Sequence, residues 1–204
     1  MIGIKKLTAD INYRGGLWSI LTRNAAAGLC RGAGGKILEM CCGQGLLLDK
    51  LRQNNPGAEL YGLDILEYAV DLARKALPKT VNLKIANASA TGYGADFFDH
   101  IFCINAFINI ASKQEIDNIF AEAARVLKPG GSFIADIRNT LFPLHHIMYG
   151  LVRLFGFDVS LVLFSTDTIV KIARSHGLRL EKKLAVGSLL GMFAPVFILK
   201  FEKQ

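Results

Sequence analysis

The stretch Lys36-Ile-Leu-Glu-Met-Cys-Cys-Gly-Gln-Gly-Leu-Leu-Leu48 constrains this chain more than any other. An apolar run from Ile37 to Met40 meets two glycines, Gly43 and Gly45, and a second apolar run begins at Leu46. That order predicts a short buried strand, a tight turn and a helix start, the repeating unit of an open α/β sheet. Glycine at 43 and 45 permits positive φ and removes a Cβ that would hold a ligand away from the backbone. Ligands of such sheets lie beyond the carboxyl ends of the strands, so this turn is the predicted cofactor site. A dinucleotide turn needs a third small residue three positions after the second glycine, where this chain has Leu48. Glu39, near the end of the strand, would repel a phosphate and suits a cationic ligand.

The rest of the chain alternates in the same way. Residues 1–35 predict a helical lead-in, with Leu17, Trp18, Leu21, Ala25 and Leu29 along one stripe and Arg31-Gly-Ala-Gly-Gly35 ending it. A helix over 46–53 stops at Asn54-Asn-Pro-Gly57, and a strand follows over 60–64. A helix over 67–77 places Asp71 and Lys75 one turn apart on its exposed face, and Pro78 closes it. Strands are predicted over 81–86 and 98–105. Ser112-Lys-Gln-Glu115 is a capping-box pattern, opening a helix whose Ile116, Ile119, Phe120, Ala123 and Leu127 share a face. Lys128-Pro-Gly-Gly131 ends it before a strand over 132–137. Ser165 opens a further helix, closed by His176 and Gly177, and strands over 178–186 and 192–201 complete the chain. Strands alternating with helices predict a doubly wound, mostly parallel sheet.

At 204 residues the chain fits one domain, 1–204, with 51% hydrophobic residues to fill its core. No apolar run reaches the roughly 18 residues of a membrane span, and no apolar signal core follows Lys5 and Lys6. A cytoplasmic protein is expected. Cys30, Cys41, Cys42 and Cys103 have no metal-ligand spacing and read as small apolar residues of a reduced compartment. The net charge of +7 is uneven: residues 1–36 and 138–204 each carry +5, and residues 37–137 carry −3. Such asymmetry steers an anionic partner, or serves solubility alone.

With Glu39-x-Cys-Cys-Gly-x-Gly45 the sequence resembles the first motif of the class I S-adenosylmethionine-dependent methyltransferases. Four further stretches keep that family's order and spacing: Tyr61-Gly-Leu-Asp64, Ile85-Ala-Asn-Ala88, Phe98 to Asn105, and Leu127-Lys-Pro-Gly-Gly131. The resemblance covers 37–137 well and 165–201 loosely, and is closest to the small-molecule branch that includes ubiquinone and menaquinone C-methyltransferases. It implies a Rossmann-like seven-stranded sheet, mostly parallel with an antiparallel C-terminal strand. It also implies S-adenosyl-L-methionine as cofactor and S-adenosyl-L-homocysteine as product. Glu39, Cys41, Gly43 and Gly45 would hold the cofactor's loop side, and Asp64 would accept both ribose hydroxyls. Ile65 would lie on the adenine face. Asn87 stands where the family has an aspartate, its carbonyl offered to the adenine amino group, with Ala88 beside it. Asn105 and Ala106 would flank the methionine end. Tyr13 resembles a tyrosine that closes over the cofactor in relatives; a packed core tyrosine is the alternative.

Methyl transfer is an in-line displacement at a sulfonium, so alignment and water exclusion supply most of the catalysis. A general base is required only for an acceptor that loses its proton early. His145, or its neighbour His146, lies in the cap segment 138–164, which in this family faces the acceptor; each is that base or a structural histidine. Asp136 and Arg138 are acceptor-side groups or a plain ion pair. The expected acceptor is small and apolar or amphipathic, lipid- or quinone-like. The series Leu141, Phe142, Leu144, Ile147, Met148, Leu151, Val152, Leu154, Phe155 and Phe157, beside basic residues, extends this to peripheral contact with an anionic membrane, against the alternative of a lid core. No nucleic-acid partner is expected, because Asn105-Ala-Phe-Ile108 lacks the Asn/Asp-Pro-Pro-aromatic turn that grips a flipped base. An RNA or protein methyltransferase and a non-catalytic S-adenosylmethionine-binding protein are the rival readings. The oligomeric state is left open.

Overall fold

Parallel strands cannot be joined by tight hairpins, and this chain fills its crossovers with helices except over 86–97, between the third and fourth strands. The computed structural model describes residues 16–110, 112–142, 163–188 and 193–204. Helix α1 (Leu17–Gly28) precedes β1 (Lys36–Met40), α2 (Leu46–Asn54), β2 (Glu59–Asp64), α3 (Glu67–Ala76), β3 (Asn82–Ile85) and β4 (Phe98–Cys103). A single 3-10 turn (Phe107–Asn109) leads to α4 (Lys113–Val126), β5 (Leu127–Arg138), α5 (Thr166–Ser175), β6 (Leu178–Val186) and β7 (Val196–Lys203). The seven strands form one sheet in the order β3-β2-β1-β4-β5-β7-β6. Only β7 runs against its neighbours, β5 and β6. The alternating pattern and the terminal antiparallel strand are therefore as expected.

Burial follows the two-residue period of the strands. Leu38, Ile101, Cys103, Phe133, Ala135 and Leu199 pack in one core with α4 and α5. Ile37, Phe102, Ile104, Ile134 and Ile198 point the other way, into a core shared with α1, α2 and the end of α3. Strand β1 pairs in parallel with β2 on one side and β4 on the other, and the connections leaving it diverge there. A divergence of this kind opens a crevice at the carboxyl ends of the strands.

Several boundaries move, each for a local reason. Strand β5 starts at Leu127, because Lys128-Pro-Gly-Gly131 is a bulge inside it and not a stop before it. The pairing steps from Phe98↔Leu127 to His100↔Ser132. Gly131 is confined there, since a Cβ would lie 2.9 Å from the Asp99 carbonyl oxygen. Strand β4 ends at Cys103, two residues early, as Asn105 takes a positive φ of 59° and turns the chain away. Helix α1 buries Thr22, Arg23, Ala26 and Ala27, whereas Leu17 is 63% exposed. Asp71 pairs with Arg74 at 3.0 Å and not with Lys75. The Ser112 cap forms as predicted, its hydroxyl accepting from the Glu115 N–H.

Tyr13, His145 and His146 lie outside the described residues, as does most of the 138–164 segment with its apolar series beyond Phe142.

Gly62, in the middle of β2, sets how closely the sheet approaches α2. A Cβ there would sit 2.5 Å from Leu48, 2.9 Å from Leu83 and 3.2 Å from the Cys42 sulfur. Gly62→Ala is expected to cost about 1–3 kcal/mol through overpacking, lowering the melting temperature by roughly 2–10 °C. Gly57→Ala, where a Cβ meets nothing within 4 Å, is the control and should stay within about 0.5 kcal/mol of the native chain. Equal melting temperatures for the two variants would refute the close approach.

Candidate functional site

Leaving β1, the backbone makes three left-handed steps: Cys41 (φ 57°), Gly43 (φ 53°) and Gly45 (φ 78°). Cys41 pays a steric cost that glycine would avoid. The turn is held from the neighbouring strand. Cys42 donates its N–H to the Leu63 carbonyl at 2.9 Å, and Gly43 donates its N–H to Asp64 Oδ2 at 2.9 Å. The other carboxylate oxygen of Asp64 accepts from the Leu66 N–H at 3.0 Å. Asp64 is thus clamped between the exits of β1 and β2.

Above the turn lies a cavity of about 280 Å³ at the crevice between β1 and β4. Glu39, Cys41, Gly43, Asp64, Ile65, Asn87, Ala88 and Asn105 all line it, as expected from sequence. Gly45 does not. It caps α2 in the left-handed conformation, and a Cβ on it would lie 2.6 Å from Leu77. Its smallness serves helix packing. Arg23, Leu46, Leu66, Asn109 and Ile110 also line the cavity and were not expected. Arg23 carried one legible signal: it is the only charge in a helix otherwise rich in small apolar residues.

Two buried polar clusters face each other across this space. On one side Glu39 is fully buried, and burial pushes its carboxyl well above the usual range. A hydrogen bond from the Leu48 N–H and the charge of Arg23 pull the other way without prevailing. Its Oε2 has no hydrogen-bond partner among the described residues. On the other side Asn105 gives its backbone N–H to Asp136 Oδ1, and its side-chain carbonyl accepts from Arg138 at 3.0 Å. Arg138 and Asp136 form an ion pair at 3.4 Å with side chains 9% and 3% exposed. Burial also raises the Asp136 carboxyl. Asp136 and Arg138 thus form an ion pair that pins Asn105.

Asn87 departs from its expected role. Its side-chain oxygen already accepts from the Ser89 N–H at 2.9 Å and the Ser89 hydroxyl at 3.0 Å. An amide oxygen has two lone pairs, and both are engaged. Cys30, Cys42 and Cys103 behave as small buried residues, and Cys41 is half-buried at the cavity: burial leads in raising the Cys42 thiol, and contact with Cys41 together with burial raises Cys103. Among the described residues no group of three or more His, Cys, Asp or Glu is placed to hold a metal ion, and no helix is long and apolar enough to cross a membrane.

Residues 37–131, from β1 into the β5 bulge, match the family model described as "Methyltransferase domain". This stretch is similar to known methyltransferase domains. The domain is similar to a methyltransferase of Streptomyces halstedii, 34% identical over 53% of this chain and 41% of that protein. It is also similar to the ubiquinone biosynthesis O-methyltransferase of an Azoarcus species, 32% identical over 56% of this chain and 49% of that protein. The chain spans about half the length, or less, of these curated relatives. In fold it resembles the magnesium protoporphyrin IX methyltransferase of Synechocystis, with a TM-score of 0.69 and 18% identity over 98% of this chain and 84% of that one.

The protein keeps Glu39 at a cost to its own stability. A carboxyl whose folded-state pKa is raised contributes stability below its unfolded value, near 4.3, and loses it as pH rises through the raised value. Glu39→Gln is therefore expected to melt higher than the native protein at pH 8 without ligand, by about 2–4 °C for each kcal/mol relieved. The gap should narrow toward pH 5. Melting curves at the two pH values check this; a variant less stable than the native protein at pH 8 would contradict it.

Proposed function

We propose that this protein is an S-adenosylmethionine-dependent methyltransferase acting on a small, apolar or amphipathic acceptor by in-line methyl transfer. One observation carries the reading. The cavity pairs a clamped carboxylate, Asp64, with a buried carboxylate, Glu39, whose Oε2 has no partner among the described residues. Asp64 has spent one lone pair of each oxygen on backbone N–H groups and keeps the others for two hydroxyls of a ribose. Ile65, 65% exposed, and Leu66 beside it offer apolar surface to the face of a purine. Glu39 suits an ammonium group and Arg23 a carboxylate, the two charged ends of a methionine moiety. When bound, S-adenosylmethionine supplies an electrophilic methyl group on a sulfonium. The chain supplies alignment and exclusion of water, with Asn105 held rigidly by Asp136 and Arg138 at the cavity wall.

An apolar acceptor finds support in the side chains around a hollow of only about 10 Å³, itself too small to hold it. Phe107, Ile108, Ile137, Leu163 and Phe164 line it around Arg138. The quinone pathway in the Azoarcus relative's name agrees with this choice. The proposal extends to peripheral contact with anionic membranes through residues 138–157. The +5 excess of residues 138–204 and the 71% exposure of Leu141 support that extension.

S-adenosylhomocysteine at a hundred times its Kd should stabilise the fold by about 2.7 kcal/mol, raising the melting temperature by roughly 5–10 °C. Asp64→Ala should weaken that binding about tenfold or more, since hydrogen bonds to a charged group are removed. A shift with NAD and none with S-adenosylhomocysteine would overturn the reading. For the membrane contact, sedimentation with anionic vesicles should show binding that salt weakens and that neutral vesicles lack. Equal indifference to both vesicles would remove that part and leave a freely dissolved acceptor.

A further inference from the structure

The base end of the cavity carries an inference that rests on the proposed cofactor and goes beyond it. We infer that Asn87 presents an amide N–H, and no acceptor, to the cofactor's purine, so that the site does not select for the 6-amino group. The Ser89 backbone N–H can only donate, which fixes the nearer arm of the Asn87 amide as oxygen. The Ser89 hydroxyl takes the second lone pair of that oxygen. The Asn87 main-chain carbonyl is used as well, accepting from the Ala90 N–H at 3.0 Å. What remains on this side chain is Nδ2, a donor with two hydrogens, on an exposed residue that lines the cavity beside Ala88 and on the same wall as Ile65 and Leu66.

The Watson–Crick edge of adenine offers a donor, the 6-amino group, and an acceptor, N1. A donor facing the amino group gains nothing, so Nδ2 pairs with N1. Hypoxanthine reverses the edge: its C6 oxygen accepts and its N1 carries a hydrogen. Nδ2 then pairs with the oxygen. Either base receives one neutral hydrogen bond from the same amide, and neither leaves the amide unpaired. A carboxylate at this position would behave differently. One oxygen would stay with Ser89 and the other would accept from the 6-amino group, while repelling a C6 oxygen.

Isothermal titration with S-adenosylhomocysteine and with its 6-oxo analogue, S-inosylhomocysteine, tests this without any knowledge of the acceptor. The native protein should bind the two within about fivefold, less than the loss of one hydrogen bond to a charged group would produce. Asn87→Asp, which keeps an acceptor for Ser89, should favour S-adenosylhomocysteine about tenfold or more. A native preference beyond fivefold for the 6-amino compound overturns the inference, as does a ratio that Asn87→Asp leaves unmoved. If the variant does not fold, the native ratio alone decides. Failure of the native protein to bind S-adenosylhomocysteine at all would instead overturn the cofactor assignment beneath it.

Discussion

The carboxylate of Asp64 is the tie on which the site depends. Its two oxygens accept from Gly43 and Leu66, one N–H from the turn after β1 and one from the turn after β2. Hydrogen bonds of backbone N–H groups to an ionised carboxylate are among the stronger ones in proteins. They fix two adjacent loops relative to each other at the point where the sheet's connections diverge. Together with the Cys42 N–H bond to the Leu63 carbonyl they hold the left-handed steps at Cys41 and Gly43, the first of which is costly for a residue with a side chain. In the function proposed above this carboxylate is both clamp and ligand group, with its free lone pairs aimed in advance. Binding therefore need not order it.

Burial makes the remaining polar groups expensive, and the structure meets that expense in two ways. At the Asn105 wall the charges compensate one another: Asp136 and Arg138 pair while both also bond to Asn105. Such a network contributes rigidity more than net stability, since desolvating an ion pair consumes most of its attraction. At Glu39 compensation is incomplete. One oxygen has no partner among the described residues and the carboxyl is pushed toward its neutral form. A buried acid held in this state is a common mark of a binding site, where a ligand's charge completes what the fold leaves open.

The alternation of strands and helices, the strand-turn-helix at 36–48 and the capping box at Ser112 were legible because each depends on near neighbours in the chain. Periodicity, glycine and a hydroxyl three residues ahead of an acid act over one or two turns. The family resemblance, built from short stretches in order, likewise named nine residues that line one cavity. The packing role of Gly45 was not legible, because its neighbour, Leu77, lies just past the far end of α3, a contact no local pattern reveals. The start of β5 was misread because Lys128-Pro-Gly-Gly131 looks like a terminator. Pairing with β4 turns it into a bulge.

By itself, then, the sequence determined the α/β class, the order of elements and the turn at which the site forms, since these follow from short-range sterics and hydrophobic period. Tertiary structure alone decided which groups meet. Arg23 joins Glu39 across α1 and β1, and Arg138 reaches back to Asn105. In each case a hydrogen bond or charge is assigned by distance in space. The same residue types elsewhere in the chain would carry a different chemistry.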